Sequence, residues 1–305
     1  MILASSGARA RAPFLGLAAL AVATSTLLAA CGGGGGSSNR AESPVASAES
    51  PPARTLAPGA EPAPTLDAPQ PGSTATTGDG RQGIYQDFVG YTFISPKGRL
   101  NRKGQQDWFF GSIEGNGAAW SFRRPTLSRS TSSGFSFITG SGTFEPRKSM
   151  SGTFSKDGQN LSSPWGPLDY SPANALAVTQ EALAGKWRTT ANDGLEMSIE
   201  IDATGAVTGR TTGSQLGTCT VTGSIRQTEP ATSRNLFDVA FTLANAATGT
   251  EVACAFAKDG EFIGLGGVVM LAASIFPEEG AYRTFYFNTA APTFAVMTNV
   301  LRKEQ

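Results

Sequence analysis

Histidine is missing altogether from the 305 residues. Its absence excludes Ser-His-Asp triads, Cys-His dyads and histidine-bound metal sites. Cysteine is scarce: Cys31, Cys219 and Cys254 are the three present. Without histidine partners they make a poor zinc site. Charged side chains form only 16% of the chain, and 24 bases balance 24 acids. That balance lacks the basic surplus of a general nucleic-acid binder, so no nucleic-acid partner is expected. From Gly32 to Gly80 there is no aromatic residue, while eight prolines fall between Pro44 and Pro71. Such a stretch buries too little apolar surface to offset its ordering entropy. The expectation is a disordered tether over residues 31–80, reaching roughly 40 Å as a coil and about 150 Å if extended.

What precedes the tether has the parts of a secretory signal, residues 1–30. Arg9 and Arg11 supply positive charge, no acid occurs before Cys31, and Pro13 to Ala30 is apolar and rich in Ala and Leu. The run is about long enough to span a bilayer, so an uncleaved helix is one reading and an ordinary signal cut elsewhere another. Leu28-Ala29-Ala30-Cys31 resembles the lipobox of bacterial lipoproteins. That resemblance implies diacylation of the Cys31 thiol, cleavage before it, and acylation of the new amine. Two or more acyl chains anchor stably where one is marginal. Gly32 follows in place of the aspartate that, in the Gram-negative sorting scheme the family implies, favours the inner membrane. The implied location is therefore the outer membrane, and the implied partner is the membrane itself through the lipid.

With Cys31 acylated, Cys219 and Cys254 form an even pair in an oxidising compartment, and a disulfide follows. Two buried thiols are the other arrangement.

Beyond residue 80 the aromatics arrive in short bursts separated by turn residues, the pattern of antiparallel β-structure. Strand-length segments fall at Tyr91–Phe93, Trp108–Ile113, Ala118–Phe122, Phe135–Thr139, Gly142–Phe144 and Met150–Phe154. They predict a meander of about six strands over residues 81–170, curved into a small barrel by its glycines. Over residues 171–184 the period changes. Ser171 suits an N-cap, Pro172 the first helical position, Leu176 and Leu183 one helix face, and Gly185 the position past the end. One short helix is predicted, either joining two modules or plugging a barrel end.

A second module is predicted over residues 185–305. Met197, Ile199 and Ile201 alternate with polar neighbours, as do Phe237, Val239, Phe241 and Leu243. Val252, Cys254 and Phe256 are read as a strand in the same way, which puts both cysteines on the apolar face. Further strands are placed near Phe262–Met270, Arg283–Phe287 and Phe294–Leu301. Gly264-Leu265-Gly266-Gly267 is read as a bulge or tight turn, because no phosphate-binding helix pattern follows it. The fold class expected is all-β: two small antiparallel barrel or sandwich modules, one short helix between them, and the tether before them. Gly185-Lys186-Trp187, Asp202-Ala203-Thr204-Gly205 and the Cys219…Cys254 spacing resemble uncharacterised Gram-negative envelope lipoproteins with a C-terminal β module. Gly-x-Trp also opens lipocalin and avidin barrels. The resemblance implies a location and a fold but no activity.

Charge is divided between the modules. Residues 81–160 hold eleven bases and five acids, and residues 176–305 nine bases and thirteen acids. Lys97, Arg99, Arg102 and Lys103 fall together in a predicted loop, where they could meet an envelope polyanion such as lipopolysaccharide phosphate. Docking of the two modules on each other, or a merely solvated loop, would account for the same charges. Glu200 and Asp202 share the polar face of one strand and are the one carboxylate pair that could serve a glycosidase; a solvated strand face is the plain alternative. The expectation is a non-enzymatic lipid-anchored envelope protein, without cofactor or metal, that binds an envelope polyanion or another envelope protein, or organises the envelope. A lipocalin-like carrier with Trp108, Trp120 and Trp187 around an apolar cavity is one alternative, and a carboxylate-dependent carbohydrate hydrolase the other.

Overall fold

The computed structural model describes residues 55–104, 107–124, 126–130, 134–156, 162–189, 196–214, 216–274 and 279–304. The expected signal, Cys31 and the expected tether up to residue 54 lie outside these. The fold is all-β, with two closed antiparallel barrels in one compact unit.

The first barrel comprises β1 (Gly83–Asp87), β2 (Gly90–Ile94), β3 (Arg99–Lys103), β4 (Asp107–Glu114), β5 (Ala119–Phe122), β6 (Thr126–Ser130), β7 (Gly134–Glu145), β8 (Ser149–Lys156) and β9 (Ser162–Tyr170). Nine strands fill eight positions, because β5 and β6 share one. The start of β4, Asp107–Phe110, pairs with β6, and its end, Ile113–Glu114, pairs with β5. β7 meets the same two strands from the other side. Pairing of β1 with β9 and of β3 with β4 closes the ring. Strand alternation sends Tyr85, Ile94, Leu100, Ile113, Trp120, Ile138 and Phe144 inward to one core.

The second barrel runs β10 (Gly185–Thr189), β11 (Glu196–Ile201), β12 (Ala206–Thr212), β13 (Cys219–Gln227), β14 (Phe237–Asn245), β15 (Glu261–Ala272), β16 (Ala281–Ala290) and β17 (Val296–Lys303). Each strand pairs with the next, and β17 returns to β10. The alternation read for Met197–Ile201 and Phe237–Leu243 holds residue by residue. The inward set fills the barrel with Trp187, Phe237, Phe241, Phe262, Phe285 and Phe287 among others. β15 and β16 differ from the other strands of this barrel in being buried on both faces through their middles. The first barrel covers their outer side, so they read as near-continuous apolar runs.

Several expectations need correction. Arg99–Lys103 is a strand, not a loop, and β6 and β9 were not foreseen. Phe135–Thr139 and Gly142–Phe144 are one strand, β7. Glycine does not break it: a Cβ at Gly142 would come within 1.9 Å of the Ser151 carbonyl, so glycine is what lets the strands approach. Gly264–Gly267 lies inside β15. A Cβ on Gly267 would meet Ile84 and Phe93 of the first barrel at 2.8 and 3.2 Å, so this glycine admits the neighbouring module.

Val252-Cys254-Phe256 belongs to the connection between β14 and β15 rather than to the wall. Every wall strand already has two partners, which leaves this stretch only the single bridge Thr218–Ala253. Cys254 still bonds Cys219, with the Cα atoms 4.9 Å apart, and packs against the core from the barrel end.

The predicted helix resolves into a 3₁₀ turn, Pro172–Ala175, and an α-helical turn, Gln180–Leu183, which we call α2. Ser171 does cap the first, accepting from the Ala173 amide. The chain extends at Leu176 because Leu176, Val178 and Leu183 all enter the second core. No single helix could deliver those three side chains and the Asn174 contacts described below. The segment therefore both links the barrels and stops one end of the second; the Trp187 indole donates to the Leu183 carbonyl at 2.8 Å.

The tether is also shorter than expected, since residues 55–82 are laid along the body. Glu61 bridges Ala281 through both backbone bonds, and Arg283 donates to its carboxylate at 2.9 Å. Gln70 bonds Ala175 and Ala177, and a single helical turn, Thr74–Thr77 (α1), is partly buried. Proline lowers the entropy such a strap loses on ordering, and the bonds to the body offset part of the remainder.

Two fully buried asparagines tie these parts together. Asn174 accepts from the Ile84 amide at 2.9 Å and donates to the Ile84 and Ser171 carbonyls. Asn235 accepts from the Val268 amide and donates to the Val268 and Ala173 carbonyls, each at 2.8 Å.

Asn235→Ala would strand three buried backbone groups. It should cost about 3 kcal/mol or more, read as a lowered urea midpoint with an unchanged slope. Reducing the Cys219–Cys254 bridge, which closes a 35-residue separation, should cost about 3–4 kcal/mol by the chain-entropy account. Denaturation with and without reductant measures it, and neither thiol should alkylate before reduction.

Candidate functional site

The four bases grouped by the sequence do not form one site. Lys97 sits in the turn before β3. Within β3, alternation separates the others. Arg99 faces the second barrel, where it pairs with Asp238 and donates to the Gly264 carbonyl at 2.9 Å. Arg102 faces the opposite way, 2.6 Å from Asp87, with side chains only 8% and 13% exposed. Lys103 lies 4.3 Å from the Trp108 ring centroid. Burial lowers its pKa, and Asp107 opposes that shift.

Lys97 instead joins side chains from distant segments around a cleft of about 300 Å³. Buried Ile94, Ile113 and Phe144 form its apolar part. Arg81, Arg123, Asp79 and Glu114 complete the rim. Arg81 is fixed by the carbonyls of Gly115 and Gly117. Asp79 accepts from the Arg81 amide at 2.8 Å, and Arg123 stands 3.5 Å from Glu114. Among the described residues Lys97 has no acid at ion-pair distance. The rim carries one positive charge more than it balances, which suits a small anionic group. Arg81 and Arg123 were not foreseen because they come from segments far apart in the chain.

The tryptophans expected around one cavity occupy three environments. Trp187 is in the second core and Trp120 in the first. Trp108 donates to Thr298 at 2.8 Å across the barrel junction. Edge-to-face pairs such as Phe241–Phe287 and Phe237–Phe285 occupy the second interior.

The carboxylate pair is likewise divided in role. Asp202 accepts from the Thr204 hydroxyl and from the Thr204 and Ala206 amides. These bonds, the hydroxyl's first, lower its pKa and fix the β11–β12 turn. Glu200 stays exposed on the strand. Among the described residues there is no group of three His, Cys, Asp or Glu placed to hold a metal ion, and no helix long and apolar enough to cross a membrane.

Arg102→Ala would leave Asp87 nearly buried without its partner and should cost about 3–5 kcal/mol. Arg99→Ala, at a pair 36% and 52% exposed, should cost about 1 kcal/mol or less. Urea titrations of both variants measure the difference.

No family model, no curated protein and no solved structure matches this chain.

Proposed function

We propose that the chain is a lipid-anchored protein of a Gram-negative envelope, acylated at Cys31 and held at the outer membrane, with a non-catalytic role in binding or in organising the envelope. The observation that carries this reading is Leu28-Ala29-Ala30-Cys31 at the end of an apolar, acid-free run. The cysteine arithmetic supports it, because Cys219 and Cys254 are bonded to each other and leave Cys31 as the unpaired thiol. A binding role is favoured over hydrolysis by the lack of histidine and by the commitment of Asp202 to a turn. It is favoured over a carrier role by the aromatic side chains that fill the second barrel. The Lys97 cleft is where an envelope polyanion would place a charged group; Arg99 and Arg102 are engaged with Asp238 and Asp87.

Cys31→Ala tests the anchor. The variant should leave the membrane fraction or retain its uncleaved signal, and its mass should lack the diacylglyceryl and acyl groups of the unaltered chain. Unchanged fractionation and mass would overturn the reading.

A further inference from the structure

Phe88 is 98% exposed, which is exceptional for a large apolar side chain. It stands at the tip of the β1–β2 hairpin, and the turn beneath it is firmly built. One oxygen of Asp87 accepts from the amides of Val89 and Gly90, both at 3.0 Å. The other oxygen receives Arg102 at 2.6 Å. Arg102 in turn donates to Thr92 at 3.2 Å. A nearly buried ion pair thus braces four residues whose outermost side chain is almost wholly exposed. A loose turn would let the ring fold back onto the barrel; this one holds it out.

The strap shows which direction the hairpin faces. Ala57 and Glu61 join the body at Glu279 and Ala281. A few residues on, Ala63 and Pro64 line a small cleft with Gln86 and Tyr91, the residues that flank the turn. The chain leading back to Cys31 therefore enters the body on the side that presents Phe88, with 23 residues between Cys31 and Thr55.

We infer that the β1–β2 tip is a membrane-docking element: Phe88 inserts into the interfacial layer of the bilayer to which the chain is tethered. This rests on the anchored reading for its biological setting. One ring could not recruit a free protein to lipid. For a chain already tethered the contact is intramolecular, and burying one phenyl group can favour the docked orientation by about tenfold. Trp and Phe at such tips settle at the level of the headgroups and upper acyl chains.

The experiment supplies its own anchor. With Cys219 and Cys254 bonded to each other, Cys31 is the sole thiol, so the full chain, made without acylation, can be coupled there to a maleimide-bearing phospholipid. It is placed in phosphatidylethanolamine–phosphatidylglycerol vesicles with or without bromine high on the acyl chains. Phe88→Trp should add an emission that the brominated vesicles quench about twofold or more, against the background of the unaltered chain. Added emission that bromine leaves unchanged would overturn the proposal. So would emission that shifts to the blue only when solubilised envelope proteins are added, which would assign the tip to a protein pocket. Because coupling replaces biological acylation, either result stands whatever the Cys31→Ala fractionation shows.

Discussion

A chain of hydrogen bonds runs from Ile84 in the first barrel through Asn174 and the Ala173 carbonyl to Asn235 and Val268 in the second. Closed barrels have no free edges, so two of them cannot join by adding strands. Each asparagine extends a ladder at the point where the backbone turns away. In the β14–β15 register Val268 would face residue 235, and the Asn235 amide supplies both missing bonds. Asn174 does the same beyond the end of β9, at Ile84. Gly83 must be glycine there, because it has φ +138° and a Cβ would come within 2.5 Å of the Asn174 oxygen. An unpaired buried backbone group costs about 1–3 kcal/mol, so these amides decide whether the linker can be buried at all.

Around that polar line the junction is apolar. Ile84, Phe93, Ala173, Leu236, Leu265, Val269 and Tyr286 form a third core between the barrels. Their exposure in a separated module would create a patch of the kind soluble monomers avoid. The opposite net charges of the two halves add little by comparison, since Arg99–Asp238 is a partly exposed pair. Phe294 marks how strongly contact prevails here. It holds φ 63°, a costly conformation for a bulky side chain, and stacks on Phe135 of the first barrel with ring centroids 4.6 Å apart.

These features explain what could be read in the sequence. Strands with one face in a core and one in water, such as β11 and β14, show clean alternation and were legible. β3 was not, because Arg99 and Asn101 on its outer face bond the second barrel while Arg102 on its inner face needs Asp87. Polar residues on both faces look like a loop until the partners are known. Glycines at Gly142 and Gly267 look like breaks, and their reason lies in strands and a barrel distant in sequence. Of the cleft only Lys97 was legible, since its neighbours meet through barrel closure rather than through spacing.

The strap extends the same logic to the segment before the first barrel. Pro-rich composition argues for disorder when a segment is weighed alone, yet Glu61, Gln70 and Thr74 each find partners on the body. Thr74 reaches the amide of Asn235 itself. Laying this segment down reduces the extended span between Cys31 and the body from about 150 Å to about 75 Å. A strap that ends on the asparagine line between the barrels brings the preceding chain to one defined side of the pair, which an attachment at Ile84 alone would not do.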